Sequence, residues 1–124
     1  MDAPRSRLHQ YGSAITELVN DHCQEYPPGT PPLPEAEAAR LAREVPGWER
    51  DGTGSLAREF AFDDFSGAFG LVVRVALLAE AESHHPRVVL EWGRAAFTTW
   101  TQTAGGLTRN DFILAAKIDQ IARA

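Results

Sequence analysis

Residues 56–86 read LAREFAFDDFSGAFGLVVRVALLAEAESHHP, and their periodicity decides the fold. From Leu56 to Phe62 the chain alternates, with Phe60 and Phe62 on one face and Glu59 on the other, as a half-buried strand does. Asp63 or Asp64 is placed to cap a helix that begins at Phe65 and runs to about Glu82. That helix is apolar nearly all round: Phe65, Ala68, Phe69, Leu71, Val72, Val73, Val75, Ala76, Leu77, Leu78 and Ala79. One stripe can face a sheet. The remainder is too apolar for water and predicts a second buried contact, most simply an oligomer interface. His84-His85-Pro86 ends the helix.

Working outward, Trp48 begins a short strand, and Asp51-Gly52-Thr53-Gly54 is a hairpin turn into the strand at Leu56. Before it, Pro34-Glu35 opens a helix to about Val45, with Glu35 and Glu37 early and Arg40 and Arg43 late, as the helix dipole favours; Pro46-Gly47 stops it. On the other side, Val88 to Trp92 is a strand, Gly93-Arg94 turns, and Ala95 to Thr101 runs back. Ala95, Phe97 and Thr99 then point inward and Trp100 points the other way. Ala104-Gly105-Gly106-Leu107 is a loop, and Thr108 with Asp111 resembles a capping box at the start of the last helix. The order helix, two strands, helix, two strands, helix predicts an α+β fold: a four-stranded antiparallel sheet with helices packed on one face.

Two further pieces precede this domain of residues 35–124. Residues 26–34 hold five of the chain's eight prolines and predict an extended, semi-rigid linker. In residues 1–25, Leu8, Tyr11, Ile15, Leu18 and His22, widened by Val19, mark an amphipathic helix. A lone helix of that length must dock, and packing on its own domain is favoured over a partner protein.

Composition excludes several functions. The chain has 124 residues, a net charge of −5 and a single lysine, Lys117, so nothing suggests a nucleic-acid surface. Cys23 is the only cysteine, which precludes an internal disulfide and fits a reducing compartment. The apolar run from Phe65 to Ala79 is interrupted by Arg74 and falls short of the roughly 20 residues that span a bilayer. With no apolar segment after the N-terminal residues, these features predict a cytoplasmic protein with neither nucleic acid nor membrane as partner.

Three features carry candidate chemistry. His84 and His85 suit the negative end of a helix dipole, could join Glu80 or Glu82 at a metal, or could move protons near neutral pH. No cysteine or third histidine is placed to complete a metal set, so no metal is expected. Trp100 either covers an edge or offers a stacking surface for a flat heterocycle or an anchor for a protein. Asp111 caps the last helix and could also orient a histidine.

Taken in order, Trp48, Leu56–Phe65, Val75-Ala76 with Ala79-Glu80, Ser83-His84-His85-Pro86, Trp92, Gly105-Gly106-Leu107-Thr108 and Asn110-Asp111-Phe112 with Leu114–Asp119 resemble the pterin-4a-carbinolamine dehydratase family across residues 35–121. The resemblance implies dimers that extend the sheet, often tetramers built through helices, and removal of water from 4a-hydroxytetrahydropterin with no metal or bound cofactor. By position, His84 and His85 match the family's histidine pair, and Asp111 matches its acid. Trp100, Thr101 and Pro86 are the ligand-binding candidates beside them. A third family histidine normally follows a threonine before the glycine loop, but here Thr101 is followed by Gln102. An amide hydrogen-bonds but carries no titrating proton. Val88 also stands where many relatives have tryptophan.

Two functions follow. One is an active dehydratase, with His84 and His85 as acid and base and Gln102 holding the 4a-hydroxyl. The other is a non-catalytic binding module. The stretch Asn110–Lys117 resembles catalytically degenerate relatives that act as Rubisco assembly factors of α-carboxysome systems, which implies Rubisco subunits as partners and a carboxysome-associated place. The loss of a proton carrier at Gln102 favours the binding module. A transcriptional coactivator role, known for animal members, has no support in these residues.

Overall fold

The computed structural model describes residues 18–124. The elements are α1 (Glu35–Ala42), β1 (Glu49–Asp51), β2 (Ser55–Ala61), α2 (Phe65–Glu82), β3 (Arg87–Glu91), β4 (Arg94–Thr99), a 3-10 turn (Gln102–Ala104) and α3 (Arg109–Arg123). The four strands form one sheet in the order β1-β2-β4-β3, every pair antiparallel. Two hairpins are thus joined by β2 and β4, with Leu56 opposite Thr99 and Phe60 opposite Ala95. Along β4, Ala95, Phe97 and Thr99 are buried and alternate with residues of the outer face. This is the expected α+β architecture.

α2 has the predicted ends. The Asp64 carboxylate accepts the Gly67 amide at 2.8 Å, which makes Asp64 the cap. Its buried stripe is Ala68, Leu71, Val75, Ala79 and Glu82. The opposite stripe, Phe65, Phe69, Val73 and Leu77, stands 40–67% exposed in the single chain. α3 is buried continuously from Asn110 to Asp119. Its far end is tied to the first hairpin by Asp119, which accepts the Trp48 indole N–H and the Arg58 guanidinium, both at 2.9 Å.

Several boundaries differ from the sequence reading. α1 stops at Ala42, where the Glu44 and Val45 amides turn back to Leu41 O and Ala42 O in tighter turns and the Trp48 amide to Val45 O; Pro46 disfavours any helical continuation at Val45. The Trp48 amide is consumed by the Val45 carbonyl, so β1 starts at Glu49. β4 ends at Thr99, where its pairing with both neighbouring strands runs out. Leu56 and Arg87 are near their strand starts and pair with Thr99 and Thr98. β3 begins a residue early, at Arg87, and Trp92-Gly93 forms the turn, with Gly93 at φ +77.

Residues 18–34 lie against this domain. Leu8, Tyr11 and Ile15 of the predicted helix fall outside the described residues. Residues 18–20 are helical, and Leu18 is fully buried in the common core. His22 is not on the helix. The backbone leaves helical geometry at Asp21, and the Cys23 amide is donated to the Glu82 carboxylate at 2.8 Å. Glu82 also accepts Lys117 Nζ at 2.6 Å and lies 3.0 Å from His22 Nδ1. Further on, the Gly29 amide donates to Thr103 O and the Leu33 amide to Leu107 O. The proline-rich stretch is therefore laid along the domain. No helix among the described residues is long and apolar enough to cross a membrane.

Burial alone would raise the Glu82 carboxyl, but hydrogen bonds from Lys117, the Cys23 amide and His22 outweigh it and lower the group from 4.5 to about 2. The folded value lies below the unfolded one, so this stabilisation is complete above pH 4.5 and is lost as pH falls toward about 2. Glu82→Gln is expected to lower stability at neutral pH by about 3 kcal/mol, because Lys117 loses a buried partner, and to flatten the acid limb. Urea melts across pH 2–7 check this; an unchanged acid limb would contradict it.

Candidate functional site

The site forms where α2 ends. Ser83 adopts a left-handed conformation at φ +54, and its amide and that of His84 return to Glu80 O and Ala79 O. A non-glycine residue there costs about 1 kcal/mol. The sharp reversal directs His84 inward and leaves His85 outside. His84 Nε2 lies 2.7 Å from Asp111 Oδ1, with the imidazole nearly buried and the carboxylate fully so. His85 Nε2 lies 2.6 Å from Glu80 Oε2 at the surface.

Asp111 is the hub. Its Oδ1 also accepts the Thr99 hydroxyl at 2.6 Å, while Oδ2 accepts the Thr101 hydroxyl at 2.8 Å and the Thr108 amide at 2.9 Å. An ionised carboxylate offers acceptors only, so against ionised Asp111 all four partners donate and His84 presents an N–H from Nε2. Asp111 therefore both caps α3 and orients a histidine. Such a buried, fully partnered carboxylate fixes ring orientation and tautomer.

Beside this pair is an open cavity of about 700 Å³, within the size range of small-molecule sites. His84, His85, Trp100, Thr101 and Gln102 line it. Trp100 follows the last strand residue and is 41% exposed, which leaves an indole surface available. Gln102 opens the 3-10 turn with an exposed side chain. The turn returns through Gly105 at φ +65 and Gly106, where a Cβ would come within 2.5 Å of Thr53 O, so the loop needs glycine at Gly106.

The structure thus brings together five of the seven sequence-selected residues at the cavity wall. Asp111 sits behind them, and Pro86 is not a lining residue. Thr101 has its hydroxyl committed to Asp111 and within 2.7 Å of Thr108 Oγ1, so it holds the acid in place. Glu80 and Glu82 are paired with different groups, and among the described residues no cluster of three or more His, Cys, Asp or Glu could hold a metal. Burial first, then the Glu82 and Asp111 carboxylates, push the Cys23 thiol up to about 12, which disfavours the thiolate. Sequence reasoning missed the roles of Thr99, Lys117 and Asn110, and weighed Glu82 only as a metal partner of the histidines. For Thr99 a signal existed, since strand alternation places it on the same face as Thr101, toward the capping Asp111.

A helix-covered antiparallel sheet with a carboxylate-held histidine beside an open cavity defines an α+β protein with a candidate small-molecule site. The family model for pterin 4 alpha carbinolamine dehydratase matches residues 31–121. A Rubrobacter xylanophilus protein named "Putative pterin-4-alpha-carbinolamine dehydratase" is 43% identical over 107 residues, covering 86% of this chain and all of that one. A Chlorobium limicola protein of the same name is 46% identical over 106 residues, covering 83% and 94%. A solved structure described as a transcriptional coactivator/pterin dehydratase from Brucella melitensis superposes with a TM-score of 0.69 at 37% identity, covering 73% of this chain and 98% of that one. The chain belongs to the pterin-4a-carbinolamine dehydratase family.

Replacing Asp111 with Ala strips partners from His84, Thr99, Thr101 and the Thr108 amide at once. The expected cost is about 3 kcal/mol or more, since each buried donor left unpaired costs about 1–3 kcal/mol. Chemical denaturation reads this directly; a loss below about 1 kcal/mol would contradict the hub role.

Proposed function

We propose that this chain binds a 4a-hydroxytetrahydropterin in the cavity and accelerates loss of water from it. The observation that carries this reading is the 2.7 Å contact between His84 and fully buried Asp111. A histidine kept only to cap a helix has no need of a buried carboxylate that fixes its tautomer. In the reaction the C4a–O bond breaks and the hydroxyl leaves as water with an added proton. The N5–H proton is removed and a C4a=N5 bond forms, giving the quinonoid dihydropterin. Histidine is suited to both transfers near neutral pH. His84 and His85 serve as the acid–base pair, and Gln102 hydrogen-bonds the 4a-hydroxyl without exchanging a proton. No metal or bound cofactor is required.

Wild-type protein is expected to convert 4a-hydroxytetrahydropterin above the spontaneous rate. His84→Ala should lower that rate by about 10²-fold, and Gln102→His should raise it about ten-fold. Stopped-flow absorbance checks all three. Turnover at the spontaneous rate, insensitive to both substitutions, would overturn the enzymatic reading.

That outcome would favour the second reading, a non-catalytic assembly factor for a protein partner, with Rubisco of α-carboxysome systems as the partner its sequence resemblance suggests. Gln102 and the exposed Phe65–Leu77 stripe support it. Its test is co-expression with Rubisco subunits, where a raised yield of assembled enzyme is expected and an unchanged yield counts against it.

The same stripe supports self-association into a dimer or tetramer through α2. Leu77→Glu is expected to reduce the mass seen by light scattering after gel filtration; a wild-type monomer would contradict this.

A further inference from the structure

Residues Gln24 to Pro28 lie outside the matched family region, yet all five line the cavity beside His84 and Trp100. Gln24, Glu25, Pro27 and Pro28 are exposed, so these side chains do not build the core. Their backbone is nonetheless pinned on both sides. Upstream, the Gln24 amide donates to Asn110 Oδ1 at 3.0 Å and Asn110 Nδ2 donates to Gln24 O at 2.7 Å. The preceding Cys23 amide is held by Glu82, and Asp21 accepts Arg109 at 2.8 Å. Downstream, the Gly29 amide donates to Thr103 O, and the Thr30 hydroxyl and amide both donate to Pro27 O. Asn110 and Glu82 are buried polar side chains of the domain, and both are committed to fixing a segment that contributes little apolar surface. Pro27 and Pro28 further reduce the freedom the segment loses on ordering. A wall held this firmly before ligand arrives is the arrangement that favours binding by preorganisation.

Resting on the reading of the cavity as a pterin site, we propose that this strap is an integral wall of that site and that Tyr26 is a ligand-contacting residue. Tyr26 is half-buried, and its ring and the Trp100 indole line the cavity alongside the His84 and His85 imidazoles; the phenol and indole take the flat bicyclic ring of the substrate. Gln24 Nε2 donates a long hydrogen bond of 3.4 Å to the Tyr26 hydroxyl at the exposed rim. Asn110 is a positioning residue that acts through the strap.

The test is calorimetric titration of the full chain with a non-reacting 7,8-dihydropterin, together with steady-state turnover. Tyr26→Ala is expected to weaken binding and raise KM about ten-fold, the scale of losing one aromatic stacking partner, with kcat within about two-fold. Equal affinity in wild type and variant overturns the strap assignment and leaves the pterin reading standing. No binding to wild-type protein overturns both. Should the variant fail to fold by circular dichroism, hydrogen exchange of the wild-type backbone decides. Amides of residues 24–30 are expected to slow with dihydropterin, and unchanged exchange overturns the assignment.

Discussion

A carboxylate removed from water holds the site together. Asp111 accepts hydrogen bonds from a histidine, two threonine hydroxyls and a backbone amide, and these donors come from the α2 terminus, the end of β4 and its extension, and the N-terminus of α3. An unpaired buried charge is among the costliest features a fold can contain. The three elements therefore cannot drift apart without exposing it. The demand that stabilises their junction also fixes the orientation of His84 at the cavity, so one residue serves both the fold and the candidate site.

A second buried cluster does for the strap what Asp111 does for the histidine. Glu82, on the buried stripe of α2, pairs with Lys117 of α3 and reaches the Cys23 amide, while Asn110 clasps Gln24. Asn110 and Asp111 are adjacent at the start of α3, and one fixes the strap while the other fixes the histidine. Neighbouring residues thus fix two parts of the cavity lining, which couples the geometry around His84 to that of the strap.

How far the sequence is readable depends on the range of the interaction. Alternation in Leu56–Phe62 and the apolar run after Asp64 are local patterns, and they foretell β2, both ends of α2 and the antiparallel sheet. The His84-His85-Pro86 and Gly105-Gly106-Leu107-Thr108 segments are local motifs, and they mark the region where the candidate site forms. Glu82 with Lys117 and Asn110 with Gln24 are joined only by the tertiary fold, at separations of 35 and 86 residues. No periodicity in either partner announces the other. Proline content correctly rules out helix between Tyr26 and Pro34, but it says nothing of where an extended segment lies. Its place along the cavity follows from amides donated to side chains and carbonyls far away in the chain.

The most direct measurement is the tautomer of His84, read from long-range ¹⁵N–¹H correlations of the imidazoles at neutral pH. Ionised Asp111 presents only acceptors, so the proton must reside on Nε2, with Nδ1 as the basic nitrogen, and Asp111→Asn must shift that ring's resonances while leaving those of surface-exposed His85 in place. A His84 ring protonated on Nδ1 alone, or one whose signals ignore Asp111→Asn, would contradict the account.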